Sequence, residues 1–413
     1  MENRGQDRSA YDPPTDVVAP VATPPVSIAG DMIPPLLDET LPLQTNELGA
    51  LLRSRSRLAA AWSVPIQRPD GSFPYAYEPD RDRYILDQYN EVRHAGATYA
   101  LFQACQLFDD ESLRSCARRA VDYIAGSSIS LPDGGAVFLR NGRCKLGGQA
   151  LAIVALLQGR RTLETAAWDD VIAALAEFLL ALELPDEPGR YFQSFEAATQ
   201  QKLLTPASNF FPGEALLALT RLHAAFPDGP WLAAARRAAR YLVRVKDGDQ
   251  IAAGTVPRED HWLTIALSEL SRFDPDPDYA TIVFWQADRM IRSQYRPDDP
   301  QPWRIGAARA RSTPPFTTTA TQAEALNAAW ELARMREDPG AVERCSLGAL
   351  RSAQFLMRVQ YTEANTRLFA RPERAIGAWA QDADYPHIRI DFVQHGLSAL
   401  VDAARLLQTG ATP

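Results

Sequence analysis

Lysine is nearly missing from this chain. It occurs at Lys145, Lys202 and Lys246, and arginine supplies the rest of the basic charge. The 51 acidic residues outnumber the 43 basic ones, for a formal net charge of −8 and a pI of about 5.3. That balance leaves no basic footprint for phosphates, so a nucleic-acid partner is not expected. Cysteine is scarce as well: Cys105, Cys116, Cys144 and Cys345 are scattered, with no Cys-x-x-Cys pair to hold a structural zinc. Three of them, Cys105, Cys116 and Cys345, fall in helical segments and read as small core residues. No apolar run approaches the ~18 residues that a membrane span needs. No basic stretch followed by an apolar one opens the chain, so no secretory signal is visible and the expected compartment is the cytoplasm. Gly147-Gly148-Gln149 lacks the strand–Gly-x-Gly-x-x-Gly–helix setting of a phosphate cradle. No cofactor is predicted.

What the chain does have is a repeat. Its 413 residues, 46% hydrophobic and 23% charged, are ordinary for a globular protein, and length alone would allow two or three domains. Six times, however, a polar cluster with a small residue opens a helix-length apolar segment. The openings are Asn90-Glu91-Val92-Arg93-His94-Ala95-Gly96, Lys145-Leu146-Gly147-Gly148-Gln149, Phe211-Pro212-Gly213-Glu214, Glu259-Asp260-His261-Trp262, Thr319-Ala320-Thr321-Gln322 and Asp391-Phe392-Val393-Gln394-His395-Gly396. They recur at roughly 50 to 75 residues, which leaves room for one further helix each time. Those second helices, such as 110–125, 168–184 and 231–245, carry Arg and Asp/Glu on one face and Ala, Leu, Ile and Phe on the other. The six small-residue segments are apolar nearly all round, as in helices buried on both sides. Twelve helices of alternating kind predict two concentric rings, six inside and six outside, in one domain over 45–410. Inner helices are expected at 90–106, 146–158, 212–224, 260–271, 319–335 and 391–406. Residues 1–44, with Pro13-Pro14, Pro24-Pro25 and Pro34-Pro35, read as a flexible arm. Short hairpins are expected at Asp70–Tyr77 and around Asp133–Leu139 with Asn141-Gly142.

Ring closure would bring the six polar openings to one mouth, and that mouth holds the candidate chemistry. Glu91, His94, Asp260, His261, Asp391 and His395 are the candidate acid, base and proton-transfer groups, since each titrates and each lies at or near an inner-helix start. Tyr89, Asn90, Arg93, Glu214, Trp262 and Gln322 are the candidate substrate-binding groups. Arg93 could clamp a carboxylate, Trp262 and Tyr89 could stack on a sugar ring, and the others offer hydrogen bonds. Capping explains several of these equally well, because carboxylates and Thr at helix starts answer the dipole and the free N–H groups. Asp391 and His395, with Asp384 and His387, could in principle hold a divalent cation, but a hydrogen-bond network is the favoured reading and no metal is predicted.

Repeated helical hairpins with glycine at the inner-helix starts resemble the α/α toroids: six-hairpin glycosidases, polysaccharide lyases, sugar epimerases, and squalene cyclases with the prenyltransferases. The resemblance covers about 45–410. It implies an (α/α)6 barrel with its site in the funnel at the N-terminal ends of the inner helices, a saccharide or uronate-containing substrate, and a hydrolase, lyase or epimerase. Two carboxylates about 5–5.5 or 6.5–9.5 Å apart would mark a hydrolase. A lone carboxylate facing a His or Tyr, with Arg93 nearby, would mark a lyase or epimerase. Gln67-x-x-x-Gly71-x-Phe73 resembles the Gln-x-x-x-Gly-x-Trp repeat of squalene cyclases, with echoes ending at Gln294 and Gln360. That keeps a terpenoid cyclase as an alternative, although His, Arg, Glu and Asp do not make an aromatic funnel. A non-catalytic glycan-binding or scaffold protein is the third reading. It would have its mouth carboxylates too far apart or already neutralised by Arg. Oligomeric state is left open.

Overall fold

A computed structural model describes residues 45–132, 134–246, 259–310 and 313–409. The proline-rich segment 1–44 lies outside the described residues. The described part contains twelve α-helices: α1 (Thr45–Ile66), α2 (Glu91–Cys105), α3 (Glu111–Ser127), α4 (Leu146–Thr162), α5 (Asp169–Ala181), α6 (Phe211–Ala225), α7 (Trp231–Arg240, running on as a π-helix over Tyr241–Lys246), α8 (His261–Leu270), α9 (Pro277–Ser293), α10 (Phe316–Met335), α11 (Pro339–Val359) and α12 (Ile390–Gln408).

The even-numbered helices pack in sequence, α2 on α4, α4 on α6, and so on to α12, which packs back on α2. They form the inner ring of an (α/α)6 toroid. Their burial follows from composition: every residue from Leu146 to Leu157 of α4 is buried. Each leucine so buried contributes about 1.5–3 kcal/mol. The odd-numbered helices form the outer ring and bury one stripe only, as in α3 with Leu113, Cys116, Ala117, Ala120, Val121 and Ile124. Those positions recur at three and four residues, the period of a helix with one wet face. α1 packs mainly on α12, so the first and last helices of the described chain form the hairpin that completes the circle.

The two ends of the barrel differ. Where inner helices run into outer ones the links are short, as at 106–110 and 336–338. Where outer helices feed inner ones the links are long, as at 67–90, 182–210 and 360–389, and they carry all the described strands. β1 (Ala76–Glu78) pairs antiparallel with β2 (Arg83–Ile85) and with β8 (Ile388–Arg389), joining the two ends of the toroid. β3 (Ser128–Ser130) pairs with β4 (Ala136–Phe138). The expected strand over Asp70–Tyr77 is confined to its end, because Asp70 Oδ1 accepts from Ser72 N at 3.0 Å and Gly71 N donates to Arg68 O at 3.0 Å, making a turn. Asn141-Gly142 is a tight turn with φ of 51° and 77°. It reverses the chain into β5 (Arg143–Lys145), which then pairs with β6 (Ser194–Glu196), itself paired with β7 (Gln201–Leu203).

The outer ring is held by a recurring stitch, and the glutamines of the cyclase-like repeat form part of it. Gln67, Gln294 and Gln360 each donate from Nε2 to a carbonyl of another outer helix, Cys116 O at 2.9 Å, Gly348 O at 2.8 Å and Arg55 O at 3.0 Å. Three residues further along each of those helices, a glycine lies against the backbone. A Cβ on Gly71, Gly306 or Gly377 would meet Arg119 O, Arg351 O or Leu58 O at 2.2, 2.1 and 2.2 Å, and these glycines have φ of +90°, +85° and +98°. At a fourth such contact, Gly189 against Arg237 O, Glu183 takes the place of glutamine and accepts from both Gly189 N and the Arg237 guanidinium.

Gly377→Ala is therefore expected to lower stability by on the order of 2 kcal/mol or more, since it adds a steric clash to the positive-φ cost. Gly134→Ala is the control: φ there is +91°, but a Cβ would meet nothing within 4 Å. Thermal unfolding of the two variants should separate clash from φ, and equal losses would remove the stitch from the argument.

Candidate functional site

The N-terminal ends of all six inner helices converge at the long-loop end, and the sequence-predicted residues lie there, doing different jobs. Asn90 caps α2, accepting from Arg93 N at 3.1 Å. Tyr89 packs its ring against His94 and Tyr123. His94 is fully buried in a box of Phe73, Tyr89 and Tyr123, with Nε2 3.0 Å from Ala120 O. Burial pushes its pKa down to about 4, so it is a neutral packing group. Glu91 is buried and ion-paired with Lys145 Nζ at 3.1 Å.

Gly147 and Gly148 now have a physical role. A Cβ on Gly148 would lie 2.8 Å from Glu91 Cγ, and one on Gly147 would lie 2.1 Å from Glu214 Oε2. The bare start of α4 thus leaves room for the side chains of Glu91 from α2 and Glu214 from α6. Gln149 holds its loop by donating to Ala136 O and Leu175 O at 2.9 and 2.8 Å.

Asp391 is gripped by Arg389 at 2.6 and 2.8 Å and by Arg93 Nε at 3.2 Å. Burial pushes its carboxyl up, but the two guanidiniums more than offset this and hold it below the usual range. Arg93 also donates to the Tyr75 hydroxyl and lies over that ring. Asp260 caps α8, accepting from Leu263 N at 3.0 Å. Gln322 donates to Glu259 Oε2 at 2.9 Å. Most mouth carboxylates are therefore committed to a cation or a helix end.

Two histidines are arranged otherwise. His261 and His395 meet edge to face with ring centroids 5.2 Å apart, and the buried Trp262 packs on both. Burial pushes His261 well below the usual histidine range, with His395 adding to the effect, so it is neutral; its Nε2 has no hydrogen-bond partner among the described residues. His395 Nδ1 lies 2.7 Å from Glu324 Oε2, with Gln394 Nε2 at 3.1 Å. The shorter contact fits an Nδ1–H donating to the carboxylate, which leaves Nε2 as the acceptor. Burial pushes the Glu324 carboxyl up, and the His395 contact opposes this.

Glu324 was not among the sequence candidates, because it lies well inside α10 rather than at its start. The available signal was a lone acid in an apolar run, Ala323-Glu324-Ala325-Leu326. Donor atoms of His261, Glu324 and His395 lie within 4.8 Å of one another, so these three, rather than Asp384, His387, Asp391 and His395, are the set that could hold a cation. Two of the atoms are already joined by the 2.7 Å hydrogen bond, which a proton satisfies without a metal. His387 and Asp384 are exposed, and Asp384 is engaged with Thr313.

The architecture is shared with solved carbohydrate-active enzymes. A D-mannose isomerase matches with a TM-score of 0.63 at 14% identity, over 89% of this chain and 100% of that one. The cellobiose 2-epimerase of Spirochaeta thermophila matches at 0.64 and 14%, over 88% and 98%. The α-1,6-mannanase of a Salegentibacter species matches at 0.58 and 13%, over 88% and 99%. An inactive form of that mannanase, with two adjacent aspartates replaced, has been solved with α-1,6-mannotriose. At these identities the likeness establishes the six-hairpin α/α toroid. No protein-family model matches the sequence, and no curated protein matches it. No described helix is long and apolar enough to cross a membrane.

Glu214 gives a stability test of the mouth. It is buried, Oε2 has no partner among the described residues, and burial followed by repulsion from Asp260 raises its carboxyl well above the ordinary value. The folded state therefore holds this proton more tightly than the unfolded chain does. That contribution is present below the unfolded pKa and is lost as pH rises toward the folded one. Glu214→Gln should melt higher than the parent, and the gap should widen from about pH 4.5 upward. A gap independent of pH would show that Glu214 is ionised in the fold.

Proposed function

We propose that the protein is a sugar isomerase or 2-epimerase that works by proton transfer at the carbon next to a reducing sugar's carbonyl. The observation that carries this is the His261–His395–Glu324 constellation: two imidazoles within reach of one bound carbon, one neutral with a free nitrogen and one oriented by a buried carboxylate. An imidazole with its far nitrogen tied to a carboxylate is held in the tautomer that accepts a proton. His395 would take the proton from C2 of the open-chain aldose while His261 gives one to the carbonyl oxygen O1, leaving an enediol, and the two imidazoles then return the protons in the reverse sense. Return of a proton to C1 gives the ketose; return to the other face of C2 gives the epimer. Arg93 and Arg389, anchored by Asp391, supply positive charge at the rim for the sugar oxygens, and Trp262 supports both imidazoles.

The likeness to a D-mannose isomerase and a cellobiose 2-epimerase supports the same class. Hydrolysis is less well supported. The adjacent aspartate pairs of this chain are Asp109-Asp110 and Asp169-Asp170, at the starts of outer helices, and Asp298-Asp299 in the link after α9. None is on an inner helix. The neutralised Glu91 and Asp391 also lack the free carboxylate that a glycosidase pair needs.

Incubation with D-mannose, D-glucose and cellobiose in D₂O tests the reading by NMR. Deuterium should enter at C2, or at C1 of a ketose product. His261→Asn and His395→Asn should each slow that exchange by about 10²–10⁴-fold. Glu324→Gln should mainly reduce kcat, because it mis-sets the His395 tautomer. Release of free sugars from α-1,6-mannan oligosaccharides without deuterium uptake would overturn the proposal in favour of a hydrolase.

A further inference from the structure

Two neighbours pull the His395 ring toward opposite tautomers. Glu324 Oε2 lies 2.7 Å from Nδ1 and, as a carboxylate, accepts a proton there. Gln394 Nε2 lies 3.1 Å from the same nitrogen and, as a donor, favours a bare Nδ1. A bare Nδ1 would put the proton on Nε2, the atom that has to accept from the sugar. Whatever holds Glu324 as an acceptor therefore decides whether His395 can act.

A buried chain of side chains across the inner ring is placed to do so. Ser398 stands one turn beyond His395 on α12 and has a side-chain hydrogen bond within reach of Glu324. Its Oγ also lies 2.6 Å from Gln103 Oε1 of α2. Gln103 Nε2 lies 2.9 Å from the hydroxyl of Tyr99, one turn back on the same helix. Arg221 of α6 donates from Nη2 to that hydroxyl at 3.1 Å and is itself gripped by Glu269 of α8 at 3.0 and 2.6 Å. Tyr99, Gln103, Ser398 and Glu324 are all buried. Tyr99, Gln103, Arg221 and Glu324 border a space of about 920 Å³ among the C-terminal halves of the inner helices. The chain thus links His395 to the ion pair at the far end of the barrel.

Proton counting gives the chain a direction. A guanidinium has donors only, so the direction is set at Arg221. A hydroxyl has a single proton to give. With Gln103 Oε1 toward Ser398, that proton goes to the amide and none reaches Glu324, while no described acceptor takes the Tyr99 O–H. Turning the amide over exchanges its oxygen and nitrogen at unchanged positions. Each donor then meets an acceptor: Arg221 gives to Tyr99, Tyr99 to Gln103, Gln103 to Ser398 and Ser398 to Glu324. Hydrogen bonds aligned head to tail in this way strengthen one another.

We propose that Tyr99, Gln103 and Ser398 are positioning residues that hold Glu324 as the acceptor of the His395 Nδ1 proton and so keep Nε2 bare for the substrate. The proposal rests on the isomerase and epimerase reading of the histidine pair, and its test separates the two. Nitrogen-15 NMR of histidine-labelled protein reads the tautomer, with the His395 signals identified by their loss in His395→Asn. Ser398→Ala and Tyr99→Phe each remove one hydroxyl of the chain. Thr98→Val is the control, since it removes a buried hydroxyl of α2 that bonds only to His94 O, off the chain. Circular dichroism melting confirms that each is folded. The parent should carry the His395 proton on Nδ1. Ser398→Ala and Tyr99→Phe should move part of it to Nε2, and Thr98→Val should not. With the sugar that takes up deuterium, the two chain variants should lower kcat at least about tenfold, as loss of a hydrogen bond to a charged group does, and leave KM within about twofold. A parent with the proton on Nε2 would overturn the proposal without any variant. An unchanged tautomer in both chain variants, or an equal change in Thr98→Val, would overturn it too. The expected tautomer shifts in a protein that exchanges no deuterium with any sugar would uphold the chain and sink only the reaction assigned to the histidines.

Discussion

Ring closure is the constraint on which the rest of this molecule depends. Inner helices that are apolar on nearly every side cannot face water on any flank, so each needs a neighbour on both sides and an outer helix behind. Only a closed circle meets that demand for all six. The circle closes where α12 packs on α2 and where α1, the first described helix, covers α12. The glutamine and glycine stitches act at the same level. They fix the outer helices in register through backbone carbonyls, and the last stitch, from Gln360 and Gly377, reaches Arg55 and Leu58 of α1. The strand pairing of β1 with β8 adds a third tie between chain regions some three hundred residues apart.

Closure also decides what the functional end is made of. Short links leave one end of the barrel lean, and long links build up the other. Helix N-termini converge there, and buried carboxylates are tolerated because helix ends and cations answer them. Glu91 with Lys145, Asp391 with Arg93 and Arg389, and Asp260 on the start of α8 are all stabilised in that way. The proposed function accordingly turns to His261 and His395, since an imidazole can be buried at smaller cost than a lone carboxylate. Glu324, the carboxylate that faces His395, also lines the space of about 920 Å³ among the C-terminal halves of the inner helices.

The ring was legible in the sequence, because the signals involved are local. Apolar residues on every side of 146–157, a single stripe in 111–127, and small residues at the inner-helix starts each follow from the geometry of one helix. Together they specify twelve helices in two layers, as described. The polar character of the mouth was legible for the same reason, since helix starts can be recognised one at a time. Which of those polar groups pair with one another was not legible there. Nothing local tells that Lys145 answers Glu91, that His94 packs as a neutral ring behind α3, or that Glu324, two turns inside α10, reaches His395 from 71 residues away. Pairing between helices depends on rotation and depth around a closed circle. Those are set by how all six inner helices pack at once, and no single segment carries them.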